Sequence, residues 1–319
     1  MSVSELLSMN LGSPAVLAFL LGLVAVAVRS DLRFPEQITS FLSTFLLLAI
    51  GLKGGMKLRD APFDELAGPA LLTLAVGLIV PVVVFRLARG FLRFDVTDAA
   101  SFAAHYGSVS AVTFTAAESF ARAAGNSPAG FMPALVALLE VPGIIVALVI
   151  AGRLTGSVST RSAVHEVLSG KSIVLLVGGM FIGALAHPTP LATIEPMFIG
   201  LFPGILCLFL LDLGTLAGQR FADVRRAGWR LVVFAVALPL VFGSVTTVCA
   251  GLIGMSVGSA SVLGAMAASA SYIAAPAAVR VGLPDANLGL SLGAALGITF
   301  PFNLVIGIPL YGQIAGFMK

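Results

Sequence analysis

Charge is what this sequence has least of. Asp, Glu, Lys and Arg make up 10% of its 319 residues, against 58% hydrophobic, whereas soluble domains carry about a quarter charged residues. A water-facing surface cannot be assembled from so few, so a soluble enzyme or binding module is excluded. Cysteine is nearly absent as well. Cys207 and Cys249 both fall inside apolar runs, which reads as two small buried hydrophobes and argues against a disulfide or a thiolate metal site. There is no Gly-Lys phosphate loop, no Cys/His metal spacing and no nucleophile with a base and an orienter, so no enzyme is expected. Ser110 has His105 five residues upstream, but no third member completes a triad. The first cation is Arg29, behind the first apolar run. A cleaved signal peptide carries its basic segment ahead of that run, so the first helix is expected to be retained.

What remains is apolar sequence in bilayer-sized pieces, with a mean hydropathy of +1.06. A helix needs about 20 apolar residues to cross the hydrocarbon core. The runs predict ten spans at about 13–29, 36–52, 67–88, 97–124, 130–152, 172–187, 194–216, 229–250, 259–280 and 289–316. The fold class expected is an all-α membrane protein made of one membrane transport domain. The net charge of +3 would suggest nucleic acid in a soluble protein. Here the basic residues sit in short loops and read as topology control, with no nucleic-acid partner.

Sorting the 18 Lys and Arg by loop gives an orientation. One side takes Arg29, Arg33, Arg86, Arg89, Arg93, Arg153, Arg161, Lys171, Arg220, Arg225, Arg226, Arg230 and Arg280. The other takes Lys53, Lys57, Arg59, Arg122 and Lys319. The heavier side is expected in the cytoplasm, which puts both termini outside a cell (inner) membrane.

The two halves resemble each other. Gly51-Leu-Lys-Gly-Gly55-Met-Lys57 aligns with Gly214-Thr-Leu-Ala-Gly218-Gln-Arg220. Gly68 and Pro81 align with Gly228 and Pro239, and Leu138-Leu-Glu140-Val-Pro142 with Gly297-Ile-Thr299-Phe-Pro301. Repeat one then covers about 13–152, a cytoplasmic linker 153–171, and repeat two 172–316. Five spans is an odd number, so the second half enters the membrane upside down. Such inverted repeats bind small solutes near the midplane between the halves. A duplicated channel or receptor stays open as the alternative.

Spans four and nine carry the candidate site. His105-Tyr-Gly107-Ser108-Val109-Ser110-Ala-Val-Thr113 is matched by Ala268-Ser269-Ala270-Ser271-Tyr272-Ile-Ala-Ala-Pro276, both small, hydroxyl-rich and weakly helix-forming. If both helices break there, amide-rich half-helix starts face inward and suit a small anion. The other reading is close helix packing through small residues. In span five Glu140 precedes Pro142, and Thr299 is its repeat mate. Carboxylate, hydroxyl and freed carbonyl oxygens are what a hard cation takes. Glu118 and Arg122 have the spacing of an interfacial ion pair, and Asp212 in span seven is expected to be structural.

The chain resembles the sodium-dependent bicarbonate transporters first recognised in cyanobacteria. The resemblance runs over nearly the whole length, most clearly in Ser13-Pro-Ala-Val-Leu-Ala-Phe-Leu, Ile50-Gly-Leu-Lys-Gly-Gly-Met, Gly107-Ser-Val-Ser and Arg280-Val-Gly-Leu-Pro-Asp-Ala-Asn287. It implies a five-plus-five inverted fold with core and gate domains and crossing, broken helices four and nine, usually in a homotrimer. It also implies bicarbonate between the breaks with sodium as the coupling ion, no other cofactor, and a PII-type regulatory partner. That partner binds from the cytoplasmic side, where the linker of cyanobacterial members is much longer than the one here. The substrate residues carried over are Gly107, Ser108, Val109, Ser110, Thr113, Ala270, Ser271 and Tyr272. Those assigned to the coupling ion are Glu140, Ser269, Thr299, Asn303 and His105.

This chain departs from the pattern at named positions. Ala111 and Val112 replace a glycine and a serine of the first break, Tyr272 stands where an Asp is expected, and Glu140 replaces an Asp. The functions expected are sodium-dependent bicarbonate symport or, on the same fold, an organic-anion or proton-coupled carrier using His105 and Glu140. A channel is the third reading.

Overall fold

The computed structural model describes residues 3–59, 63–156 and 160–318. The side chains of Arg161, Arg220, Arg225 and Arg226, and all of Lys319, which enter the charge sorting, lie outside the described residues. Every described element is helical. In chain order they are α1 (Val3–Leu11), α2 (Pro14–Ala27), α3 (Glu36–Leu58), α4 (Phe63–Leu87), α5 (Val96–Gly107), α6 (Ala111–Ala123), α7 (Met132–Glu140), α8 (Pro142–Thr155), α9 (Thr160–Leu168) and α10 (Lys171–Leu185). There follow α11 (Pro188–Glu195), α12 (Phe202–Ala227), α13 (Trp229–Leu252), α14 (Val257–Ala267), α15 (Ala274–Gly282), α16 (Leu288–Ala294), α17 (Phe300–Phe302) and α18 (Ile308–Phe317). π-helical turns at Ala295–Thr299 and Asn303–Gly307 join the last three into one continuous run.

Six stretches among the described residues are long and apolar enough to cross a membrane: Glu36–Leu58, Glu65–Leu92, Met132–Thr155, Pro188–Gln219, Trp229–Leu252 and Leu288–Phe317. Pro14–Ala27, Lys171–Leu185 and Val257–Ala267 are apolar but shorter. Predicted spans four and nine are each two pieces, α5 with α6 and α14 with α15. The 12 residues of α5 rise only about 18 Å, well short of the ~30 Å hydrocarbon slab. The segment expected as a cytoplasmic linker from Arg153 contains the end of α8 and the helix α9, which packs on α8, α10 and α15.

Local sequence explains the ends. Ser13 caps α2 by accepting from the Val16 amide at 3.3 Å, with Pro14 in the first turn where its missing N–H is harmless. Asp95 caps α5 in the same way, accepting from Asp98 N at 2.8 Å. That bond holds the Asp95 carboxyl below its ordinary acidity range. In α3, Glu36 lies in the first turn and Lys57 in the last, matching the helix dipole.

Two seams run backbone to backbone. α3 lies on α10, where a Cβ on Gly51 would strike the carbonyl oxygen of Leu176; α2 lies on α12, where one on Gly214 would strike that of Phe19. Glycine is required at both, because no side chain fits between helices this close. α3 and α10 run parallel. The Lys171 ammonium donates to Ser40 O and Oγ at their starts, and the Arg59 guanidinium donates to Ala184 O and Ala186 O at their ends. α3 also touches α12, which joins these four helices into one layer. Elsewhere α4 packs on α5 and α8, α5 on α8, α13 on α14, and α14 on α18 and α6.

Candidate functional site at the helix breaks

The two interrupted helices meet at their interruptions. The amide of Ser110 donates to the Ser269 hydroxyl at 2.8 Å, and the amide of Ser271 donates to the His105 carbonyl at 2.7 Å. Ser110 is extended and caps α6, accepting from Thr113 N at 3.2 Å. On the other side no side chain caps α15 at Ile273, and Ser271 Oγ accepts from Ala275 N at 3.2 Å. Two helix N-termini, each with backbone N–H groups that have no partner inside the helix, thus begin beside one another in the interior.

A small cavity opens at this junction. Its volume of about 10 Å³ is space for about one water. It is lined by Val109, Ser110 and Ala111 from the first break, Ser271, Tyr272 and Ile273 from the second, Glu140 from α7, Leu47 from α3 and Ser172 from α10. Four buried side-chain polar atoms among the described residues have no hydrogen-bond partner: Ser43 Oγ, His105 Nε2, Glu140 Oε2 and Tyr272 Oη. Two of them belong to residues lining this cavity. Ser172 is the hydroxyl facing the Glu140 carboxyl, and Ser110 the one neighbouring the Tyr272 phenol. The Tyr272 ring is fixed edge-on against Phe300, centroids 5.8 Å apart.

The profile of the Na+-dependent bicarbonate transporter superfamily matches residues 14–316. The chain belongs to that superfamily. No curated protein matches it. The superfamily makes it a transporter and an integral membrane protein.

For this transporter the structure divides the sequence-predicted residues into two groups. Val109, Ser110, Ser271, Tyr272 and Glu140 line one cavity. The others support it or lie behind it. Gly107 packs where a Cβ would press on Pro81 and Gly143, Ser108 Oγ donates to Glu140 O at 2.9 Å, and Thr113 supplies an amide to the Ser110 cap. Ala270 is buried in the apolar cluster of α5 and α8. Ser269 Oγ receives the Ser110 amide and donates to Met266 O at 2.7 Å.

Of the coupling-ion candidates, only Glu140 reaches the cavity. Thr299 Oγ1 donates to Ala235 O at 2.7 Å and meets the Tyr106 hydroxyl at 2.7 Å. Asn303 Nδ2 donates to Ala268 O at 2.7 Å, and its oxygen accepts from Tyr311. Both side chains are thus engaged: Thr299 ties α5 to α13, and Asn303 ties the end of α14 to α18. The His105 ring holds Ser101 O through Nδ1 at 2.7 Å and is fully buried. Sequence reasoning missed Leu47 and Ser172, which close the cavity from α3 and α10. A hydroxyl at the head of an otherwise apolar run, as at Ser172, was the available signal.

Beyond the cavity, the expected pair of Glu118 and Arg122 forms at 2.7 Å, and Lys53 of α3 joins it at 3.1 Å. Asp212 is buried and accepts from the Thr39 hydroxyl at 2.6 Å, a side-chain partner on the neighbouring α3.

Proposed function

We propose that this chain is a secondary transporter that takes up bicarbonate together with sodium, binding the anion between the two helix breaks. The observation that carries this reading is the junction itself: two half-helix starts, three serines and two side-chain oxygens without a hydrogen-bond partner, Glu140 Oε2 and Tyr272 Oη, converge on one enclosed space. Helix N-termini favour an anion. Glu140, with the Ser172, Ser110 and Ser271 hydroxyls, offers oxygen ligands of the kind a hard cation takes, and a cation there offsets the buried carboxylate beside the bound anion. One sodium per bicarbonate is electroneutral, and a tenfold sodium gradient then supplies about 1.4 kcal/mol, enough for tenfold accumulation.

The architecture proposed is the five-plus-five inverted repeat with both termini outside. The paired seams support it. Gly51 of α3 meets Gly179 of α10, and Gly214 of α12 meets Gly22 of α2, with Gly51 and Gly214 at matching places in the two halves. The layer of α2, α3, α10 and α12 is proposed as the gate domain and the remainder as the core, assembled as a trimer. A cavity with space for about one water admits bicarbonate only when α3 and α10 shift relative to the breaks, which is a gate's motion.

Leu47, Val109, Ala111 and Ile273 give the cavity apolar walls, which also suits a small organic carboxylate as cargo. Labelled bicarbonate uptake into proteoliposomes, with and without a sodium gradient, tests the main reading. Accumulation above equilibrium that requires sodium and is lost in Glu140→Ala is the expected result. Uptake that only equilibrates would make the protein a channel, and competition by small carboxylates would shift the cargo assignment.

A further inference from the structure

A second cavity of about 10 Å³ adjoins the first. Leu47, Ala111 and Ile273 line both, so the two cavities share these three residues as a septum. Beyond it lie Ser43 of α3, Thr115 of α6 and Phe209 of α12. Ser43 is 6% exposed, and its hydroxyl has no partner in a cavity whose other lining residues, Thr115 apart, are apolar. Packing alone gives no reason for serine here, because a buried hydroxyl without a partner is destabilising. One helical turn farther, the Thr39 hydroxyl holds the Asp212 carboxylate at 2.6 Å. Thr39 precedes Ser43 by four residues and Phe209 precedes Asp212 by three, so both helices carry the polar pair on the face that lines the cavity. Asp212 is 2% exposed, and no cation pairs with it among the described residues.

We propose that the translocation path leaves the Glu140–Tyr272 cavity through the septum at Leu47, enters the Ser43 cavity and runs on to Thr39 and Asp212. Ser43 contacts the cargo in passage, Leu47 is the barrier, and Asp212 draws the accompanying cation toward the face where α3 begins. A carboxylate at each end of the route makes it hostile to a bare anion, so bicarbonate passes with its cation. This inference rests on the transport reading above.

The test uses a Cys207→Ala, Cys249→Ala background in proteoliposomes, with Ser43→Cys added and, as a second probe of the same cavity, Thr115→Cys. The reagent is a charged, membrane-impermeant methanethiosulfonate. Thr115→Cys is expected to take up bicarbonate with sodium before treatment and to lose that uptake after it, whereas Ser43→Cys starts from a lower rate and loses the remainder, with modification at both slowed by sodium and bicarbonate together. Leu47→Ala is expected to speed modification of Ser43→Cys, and Leu47→Trp to block uptake while leaving the thiol reactive. A thiol that stays unreactive at both positions while uptake proceeds, or modification that leaves uptake intact, overturns the path. Absence of uptake in the background itself counts against the cargo assignment instead. In that case the effect of Leu47→Ala on thiol reactivity still decides whether the septum separates two connected spaces.

Discussion

The Ser110 amide and the Ser269 hydroxyl, 159 residues apart in the chain, lie 2.8 Å apart in the interior. This bond and that from the Ser271 amide to the His105 carbonyl fix the two helix breaks against each other, and the Ser269 hydroxyl donates in turn to Met266 O. Ser269→Ala leaves the Ser110 amide buried without an acceptor, at a cost of about 1–3 kcal/mol. A lowered melting midpoint in detergent and slower uptake are expected, with Ser269→Thr retaining more of both.

Tyr272 stands where the resemblance drawn from the sequence leads one to expect an Asp. Tyr272→Asp adds a carboxylate beside Glu140 and is expected to strengthen the sodium dependence of uptake, read as a lower sodium concentration at half-maximal rate. Tyr272→Phe removes only the phenol oxygen. It is expected to weaken anion affinity while leaving the sodium response near wild type. Uptake measured across a sodium series separates the two.

Glu118 bridges Lys53 and Arg122, and its side chain is 9% exposed against 30% and 43% for the partners. Removing Arg122 breaks a largely solvated pair, so Arg122→Ala should cost under about 1 kcal/mol. Glu118→Ala breaks the contact between α3 and α6 and leaves both cations without their carboxylate, so it is expected to cost more than Lys53→Ala, which leaves Glu118 its bond to Arg122. A double-mutant cycle on Lys53 and Glu118, read by thermal unfolding in detergent, measures the coupling directly.

Gly51→Leu places a side chain where the α10 backbone already lies. Overpacking of about 1–3 kcal/mol or more follows, so expression and thermal stability should fall sharply. Gly90, which has open space around it, serves as the control: Gly90→Ala should be close to neutral.

The Asp95 cap gives a pH dependence whose sign is fixed. Its folded-state acidity lies below the ordinary value of 3.8 because the Asp98 amide donates to the carboxylate. The stabilisation is therefore complete above that ordinary value and fades as pH falls through the lower folded one. Asp95→Ala should lose about 1 kcal/mol at neutral pH, and the difference from wild type should vanish in strong acid. Melting midpoints of both proteins across an acid series check this.

The breaks were legible because they are local. A run of Gly, Ser and Ala within an apolar span announces its weak helical preference in sequence order, and both interruptions fall within the two segments so marked. The Glu118–Arg122 pair was legible for the same reason, since four residues along a helix fix the geometry. The Lys53 contact, the Ser172 wall and the hydroxyl partner of Asp212 were not. Each depends on how α3 is placed against α6, α10 and α12, and no short-range pattern encodes that placement. Thr299 and Asn303 show the converse. Thr299, as the repeat mate of Glu140, and Asn303 were assigned to the coupling ion, whereas the network of Tyr106, Ala235, Ala268 and Tyr311 already engages them.

Two helices joined through their main chains, as α3 is to α10 and α2 to α12, have no side-chain layer between them to shear. If these pairs shift during turnover, each travels as a rigid raft, and resistance to that travel comes from the lipid and the neighbouring helices at its rim. Turnover should then respond to acyl-chain length and bilayer stiffness more strongly than to most substitutions inside the raft.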